Sequence, residues 1–169
     1  TAYSSLKKLG VANKRVVGAV LAVRLRSDNP VERSDAADLL EDIGADTPTA
    51  IEGLRRLLCD PVQDIRLTAV KTLGNAGAKA ARAVTALTRV LTHDPYPKVR
   101  EVAAKALGKI GISNNKAVTG LVRSLKECPD VRVVKAAISA LGAIGSLPEI
   151  IVSALIEVAD NRAFDLHTT

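Results

Sequence analysis

Apolar residues recur along this chain at helical spacing, and the helical pattern itself recurs. Gly10, Gly44, Gly77, Gly111 and Gly145 stand 34, 33, 34 and 34 residues apart. Four residues before each is a leucine: Leu6, Leu40, Leu73, Leu107 and Leu141. One residue before each is Leu9, Ile43, Ala76, Ile110 or Ile144, and eight before come Ala36, Ala69, Ala103 and Ala137. Offsets of −8, −4 and −1 from the glycine share one face of a helix. After the glycine the period resumes, with Val16, Ala50, Ala83, Ala117 and Ile151 at +6 and Val20, Leu54, Leu87, Leu121 and Leu155 at +10. Each unit therefore predicts two amphipathic helices, A and B. Glycine ends A in a left-handed conformation that other residues adopt only at a cost, and an Asp-Pro or similar turn ends B.

A period near 34 with repeated apolar columns predicts an α-solenoid. One unit cannot bury its apolar face alone, so stability comes from stacking on its neighbours. The boundaries read as a partial repeat over 1–26, then repeats at about 27–59, 60–92, 93–127 and 128–160. Residues 161–169 are a tail or the start of a further repeat. The chain opens inside a repeat and holds no methionine, so a piece of a longer protein is expected.

Composition agrees with closely packed helices. The chain is 47% hydrophobic yet has one Phe, two Tyr and no Trp, so its interior must be Ala, Val, Leu and Ile. The prolines Pro30, Pro48, Pro61, Pro95, Pro97, Pro129 and Pro148 lie outside the apolar runs or at the mouth of one, where they start helices. There is no long apolar run and no signal-peptide pattern, which argues against membrane association and secretion. Cys59 and Cys128 sit two repeats apart, too far to bridge, and unpaired thiols fit a reducing, cytoplasmic compartment.

The units resemble HEAT repeats, specifically the short HEAT-like type of the phycobilisome lyases. Asp60-Pro61, Ile65-Arg66, Ala69, Leu73-Gly74 and Gly77 carry the likeness in one unit. Asp94-Pro95, Val99-Arg100, Ala103, Leu107-Gly108 and Gly111 carry it in the next. A tetratricopeptide array shares the period but wants Trp, Tyr and Phe, and armadillo units are longer. The resemblance implies an all-α, right-handed solenoid of about four to five antiparallel helix pairs, stacked over 1–169 as a single domain. Two units depart from the pattern: Val134 fills the arginine column of the fourth full unit, and Glu32 stands where Ile65 and Val99 do.

Two columns of charge follow. Arg33, Arg66 and Arg100 share offset −11. In HEAT-like families this arginine reaches an aspartate of the inter-unit loop, for which Asp28, Asp60 and Asp94 are the candidates. The implied role is a structural ladder that orders the stack. The second column lies on helix B, with Arg56, Arg89 and Arg123 at +12 and Arg82 and Lys116 at +5. These offsets share a face that points away from the apolar columns. Solenoids of this type line their concave side with B helices, which would make the arginines a row along a groove. At +9 every residue is small (Ala19, Gly53, Ala86, Gly120, Ala154), which would let a partner approach the backbone. Residues 60–127 carry 12 Lys and Arg against 5 Asp and Glu, so the whole chain's +6 arises in the middle. Such a stripe either keeps an alanine-rich protein soluble or grips carboxylates and phosphates.

Catalytic chemistry is sparse. Two histidines, His93 and His167, cannot build a histidine-rich metal site, so no metal and no cofactor is expected. HEAT-like deoxyhypusine hydroxylases use His-Glu pairs, but here His93 precedes Asp94 and His167 precedes Thr168. HEAT-like DNA glycosylases depend on Trp among other residues, and this chain has none. Cys59 and His93 occupy neighbouring loops without a third orienting group, so catalysis is rejected and Cys59 is assigned to packing.

The expected function is a non-catalytic scaffold that holds an acidic or extended segment of another protein on the face of the second helices. Nucleic-acid binding through the same basic stripe is the alternative, although Tyr96 is the only aromatic residue near it. A bilin lyase-related subunit is a third reading, taken from the family resemblance alone. Self-association through exposed repeat ends is also open.

Overall fold

The computed structural model describes residues 23–110 and 115–145, together with Gly18, Val20, Leu21, Val152, Ser153 and Ile156. Expectations placed on the partial unit before residue 18, on Gly111 and on the 161–169 segment lie outside these residues. The described residues hold α-helices and one 3-10 helix, with no strand. Gly18, Val20, Leu21, Val23 and Arg24 are helical. Then come α1 (Pro30–Ile43), α2 (Pro48–Leu57), α3 (Gln63–Ala76), a 3-10 segment (Gly77–Ala83), α4 (Val84–His93), α5 (Pro97–Ile110), α6 (Asn115–Glu127) and α7 (Val131–Ile144).

The odd-numbered helices are the A helices and the even-numbered ones the B helices. The first two starts are dictated locally. Pro30 and Pro48 occupy first turns, where their missing N–H is not needed. Asn29 Oδ1 accepts from the Val31 N–H at 2.9 Å, and Thr47 Oγ1 accepts from the Ala50 N–H at 3.2 Å. Three of the A helices, α1, α3 and α7, stop at glycines with positive φ, at 87° for Gly44, 57° for Gly77 and 66° for Gly145. Only Gly145 is in the left-handed helical well, with ψ 29°, while Gly44 and Gly77 turn the chain outward at other ψ values. After Gly77 the chain runs as 3-10 helix, whose three-residue turn places Ala80 and Ala83 on one buried side and exposes Lys79 and Arg82.

Two layers result. A helices stack on A helices (α1 on α3, α3 on α5, α5 on α7), α4 packs on α6, and each B helix also packs against the next A helix. Residues one period apart become spatial neighbours: Lys79 Nζ donates to Asp46 Oδ1 at 2.5 Å, and Lys109 Nζ to Asn75 Oδ1 at 3.0 Å. Leu40, Leu54, Leu73, Leu87, Leu107, Leu121 and Leu141 are fully buried between the layers. Each contributes roughly 1.5–3 kcal/mol relative to leaving it in water.

Close approach of the A helices depends on glycine. A Cβ on Gly108 would lie 2.8 Å from Ala140 Cβ and 2.9 Å from Ala140 Cα. One on Gly74 would lie 2.9 and 3.1 Å from the same atoms of Ala106.

Two sequence expectations are corrected. Val20, assigned to the +10 apolar column, is 47% exposed, and Leu21 and Leu25 are buried instead. Counted back from the turn residues Ser27 and Asp60, Leu21 and Leu25 align with Leu54 and Leu58, because these two units have one residue fewer between core column and turn. Cys59, assigned to packing, is exposed, whereas Cys128 rests against the core.

Candidate functional site: two basic grooves that meet at Arg89

The B-helix face carries two adjoining grooves. One, of about 410 Å³, runs between α2 and α4, lined by Arg55, Arg56, Arg82 and Arg89 together with Cys59 and His93. The other, of about 430 Å³, runs between α4 and α6, lined by Arg89, Lys116 and Arg123 with Thr85, Thr88 and Thr119. The five basic residues of the +5 and +12 columns thus all open onto this double groove, and Arg89 lies in both halves. Stacking of successive B helices converts a sequence column into a row.

Their charges are not equally available. Arg55 forks the Glu52 carboxylate, with Nε at 2.8 Å and Nη2 at 2.7 Å, and Arg56 Nε lies 3.5 Å from the same group. The Arg55 bonds, then Arg56, hold the Glu52 carboxyl down at about 2, so it stays ionised. Arg123 Nε donates to Glu127 at 2.7 Å. All three pairs lie one helical turn apart on exposed surface, where such contacts are worth a few tenths of a kcal/mol, roughly 0.3–0.5. The guanidinium groups of Arg82 and Arg89 make no hydrogen bond or ion pair among the described residues. Arg55 was missed by the column argument because it falls one position off +12; the Arg55-Arg56 doublet was its only signal.

The small +9 residues do something other than expected. A Cβ on Gly53 would come within 2.6 Å of Leu25 Cδ1, and one on Gly120 would collide with Thr88 Cγ2. Gly53 and Gly120 therefore seat each B helix against the preceding one. Of the described +9 residues, Ala86 lines the first groove and Gly120 the second, whereas Gly53 lines neither.

Cys59 and His93 line the first groove, yet no hydrogen bond joins them. His93 Nδ1 instead lies 2.5 Å from Thr92 Oγ1 and 3.3 Å from the Arg89 carbonyl. No group of three metal-ligating side chains occurs among the described residues, and none of their helices is long and apolar enough to cross a membrane.

The −11 arginines lie elsewhere, at the turns between units. Arg33 grips Asp60 through Nε at 2.6 Å and Nη2 at 3.2 Å, while Nη1 donates to the carbonyls of Ser27 and Asp28, both at 2.9 Å. Arg66 repeats the arrangement one unit on, holding Asp94 at 2.7 and 3.2 Å and the carbonyls of Asp60 and Pro61 at 2.8 and 3.2 Å. Each arginine thus joins its own turn to the carboxylate of the next. Asp60 and Asp94 also accept the N–H two residues on, from Val62 and Tyr96, both at 2.9 Å.

Two proposed members of the ladder depart from this scheme. Asp28 offers Arg33 its carbonyl, not its carboxylate, because the turn position equivalent to Asp60 is Ser27, whose Oγ accepts from the Asn29 N–H. Arg100 keeps only the carbonyl half, with Nη1 2.6 Å from the Asp94 oxygen and 3.4 Å from that of Pro95.

A stack of antiparallel helix pairs with glycine-ended A helices and a cross-unit arginine–aspartate ladder is an α-solenoid. The chain belongs to the HEAT-repeat family, whose model matches residues 18–108 and again 84–166. No curated protein matches it. It is similar to the crystal structure of an engineered protein, at 24% identity and TM-score 0.66, covering 94% of this chain and 73% of that one. It is also similar to the complex of CpcE and CpcF, a phycocyanin lyase of Nostoc sp. PCC7120, at 21% identity and TM-score 0.60, covering 88% of this chain and 61% of that one. At these identities the likeness concerns the fold.

Proposed function

We propose that this chain is a non-catalytic scaffold whose double groove holds an acidic, extended segment of another protein. The carrying observation is that Arg82, in the first groove, and Arg89, in both, make no hydrogen bond or ion pair among the described residues. Arg56 and Arg123 flank them, held only by exposed contacts that a partner's carboxylates can displace. An extended peptide laid across α2, α4 and α6 would meet one guanidinium per unit, since packed helices sit about 8–10 Å apart. Arginine suits this task because its fork matches a carboxylate. The like fold of CpcE and CpcF is found in a two-chain complex, which agrees with a protein partner.

The test is anisotropy titration of a labelled glutamate-rich dodecapeptide at two salt concentrations, against duplex and single-stranded DNA of equal length. The scaffold reading expects the peptide to bind, and Arg89→Glu/Arg123→Glu to weaken it at least tenfold and flatten its salt dependence. Tighter binding of either DNA, with a steep salt slope, transfers the groove to nucleic acid. The one nearby aromatic residue is already engaged, since the Arg66 guanidinium lies 5.6 Å from the Tyr96 ring centre.

A second reading, a bilin lyase-related subunit, is favoured by the CpcE–CpcF likeness alone. Absorbance titration with a bilin tests it, and an unshifted spectrum removes it.

A further inference from the structure

The ladder is broken at its third rung, and the break leaves a receptor. Arg33 and Arg66 use Nε and Nη2 to bind the carboxylate of the following turn. Thirty-four residues after Asp94 that position is Cys128, a neutral side chain. The acidic residues nearby are committed. Asp130 accepts from the Arg132 N–H at 2.9 Å and from its guanidinium at 3.2 and 2.9 Å, and Glu127 is held by Arg123. Arg100 therefore spends Nη1 on the Asp94 and Pro95 carbonyls and leaves Nε and Nη2 without a partner among the described residues. Beside it lies a cavity of about 250 Å³, lined by Arg100, Thr92, Ser124, Glu127, Cys128 and Pro129.

We propose that this cavity binds a single carboxylate, free or carried on another chain, in the place the absent aspartate would fill. Three observations converge on it. The two intact rungs show the geometry in which this arginine column holds a carboxylate. The cavity has room for several waters, each occupying about 30 Å³ in the liquid, and hence for a small carboxylate. Ser124 makes no bond to the fork, and its hydroxyl donates to the Leu121 carbonyl at 2.7 Å. Occupation would tie the turn before α5 to the turn before α7, restoring at that junction the cross-unit link present at the two preceding ones.

The experiment uses the whole chain and acetate, with chloride at matched ionic strength as reference. The readout is the arginine side-chain Nε–H resonance, assigned to Arg100 by its disappearance in Arg100→Gln. Acetate should shift that resonance saturably and leave those of Arg33 and Arg66 in place. At ten times its Kd it should also raise the unfolding midpoint by about 3–5 °C over chloride. Cys128→Asp should raise the midpoint without acetate and abolish the acetate response, whereas Cys128→Ser should retain it. An Arg100 resonance indifferent to acetate overturns the proposal, and so does an equal response in Cys128→Asp. A capped aspartyl peptide separates the sources. Binding tenfold or more tighter than acetate assigns the site to a partner's side chain, and equal binding assigns it to a free anion.

Discussion

Arg66 and Asp94 lie 28 residues apart in sequence and are joined by two hydrogen bonds, from Nε at 2.7 Å and Nη2 at 3.2 Å. Both side chains are buried, and the same guanidinium closes the turn behind it by donating to the Asp60 and Pro61 carbonyls. The contact thus joins two units and two turns at once. It also commits four of the five Arg66 N–H donors to the protein.

Removing one member of such a pair strands the other. Arg66→Ala is expected to lower unfolding free energy by about 3–5 kcal/mol, since it leaves the Asp94 carboxylate buried and uncompensated. Urea denaturation followed by circular dichroism measures it. Arg66→Lys should recover little, because an ammonium cannot reproduce the fork. A loss under 1 kcal/mol would mean that water replaces the guanidinium freely.

The −3 glycines offer a comparison within one column. In Gly108→Ala the new methyl meets Ala140 Cα at 2.9 Å, a backbone atom that moves only with its helix. Overpacking of that kind costs about 1–3 kcal/mol, more than the roughly 1 kcal/mol that alanine gains over glycine in a helix. Gly142→Ala meets nothing within 4 Å among the described residues, so it should be neutral or stabilising. Thermal midpoints moving in opposite directions check the stacking geometry, and parallel shifts contradict it.

Glu52 supplies a pH prediction. Its carboxyl is held at about 2, first by the Arg55 hydrogen bonds and then by Arg56. The folded value lies below the ordinary 4.5, so the protein binds fewer protons there than the unfolded chain. The associated stability is present above 4.5 and is lost as pH falls through about 2. A carbon-detected titration should place Glu52 near 2, and Arg55→Ala should return it toward 4.5. Because the pair is exposed, the stability change itself should be small.

The same carboxylate competes with an acidic partner for Arg55 and Arg56. Glu52→Gln should therefore tighten the dodecapeptide several-fold, chiefly at low salt. Arg89→Ala should weaken it more than Arg56→Ala or Arg123→Ala, since Arg89 alone of the three lines both grooves and has no carboxylate partner among the described residues. Equal losses at the three positions would remove the distinction between committed and free arginines.

Legibility followed periodicity. The glycine ruler and the leucine columns lie on the chain itself, and one period of 34 residues suffices to place Leu73 beside Leu107. The basic row was legible for the same reason, because Arg56, Arg89 and Arg123 repeat in register. Val20 was misplaced because the core column of its unit, Leu21, lies eleven residues after the glycine and six before the turn, where Leu87 lies ten after and seven before. Gly53 was misread because small size alone does not say which neighbour needs the space, and here it is the preceding B helix.

Taken alone, the amino-acid order determined that this protein is a stack of helix pairs. Glycine, proline and the apolar columns act within a few residues of themselves, and each unit must cover its neighbour to keep those columns dry. The pairing of charges was decided only in three dimensions. Asp28 stands closer in sequence to Arg33 than Asp60 does, yet the stack brings the Asp60 carboxylate to the fork and turns only the Asp28 carbonyl toward it. Likewise, that Cys128 deprives Arg100 of a carboxylate follows from which turn packs beside which arginine. Local propensities carry no distance between units, and an ion pair is a matter of distance.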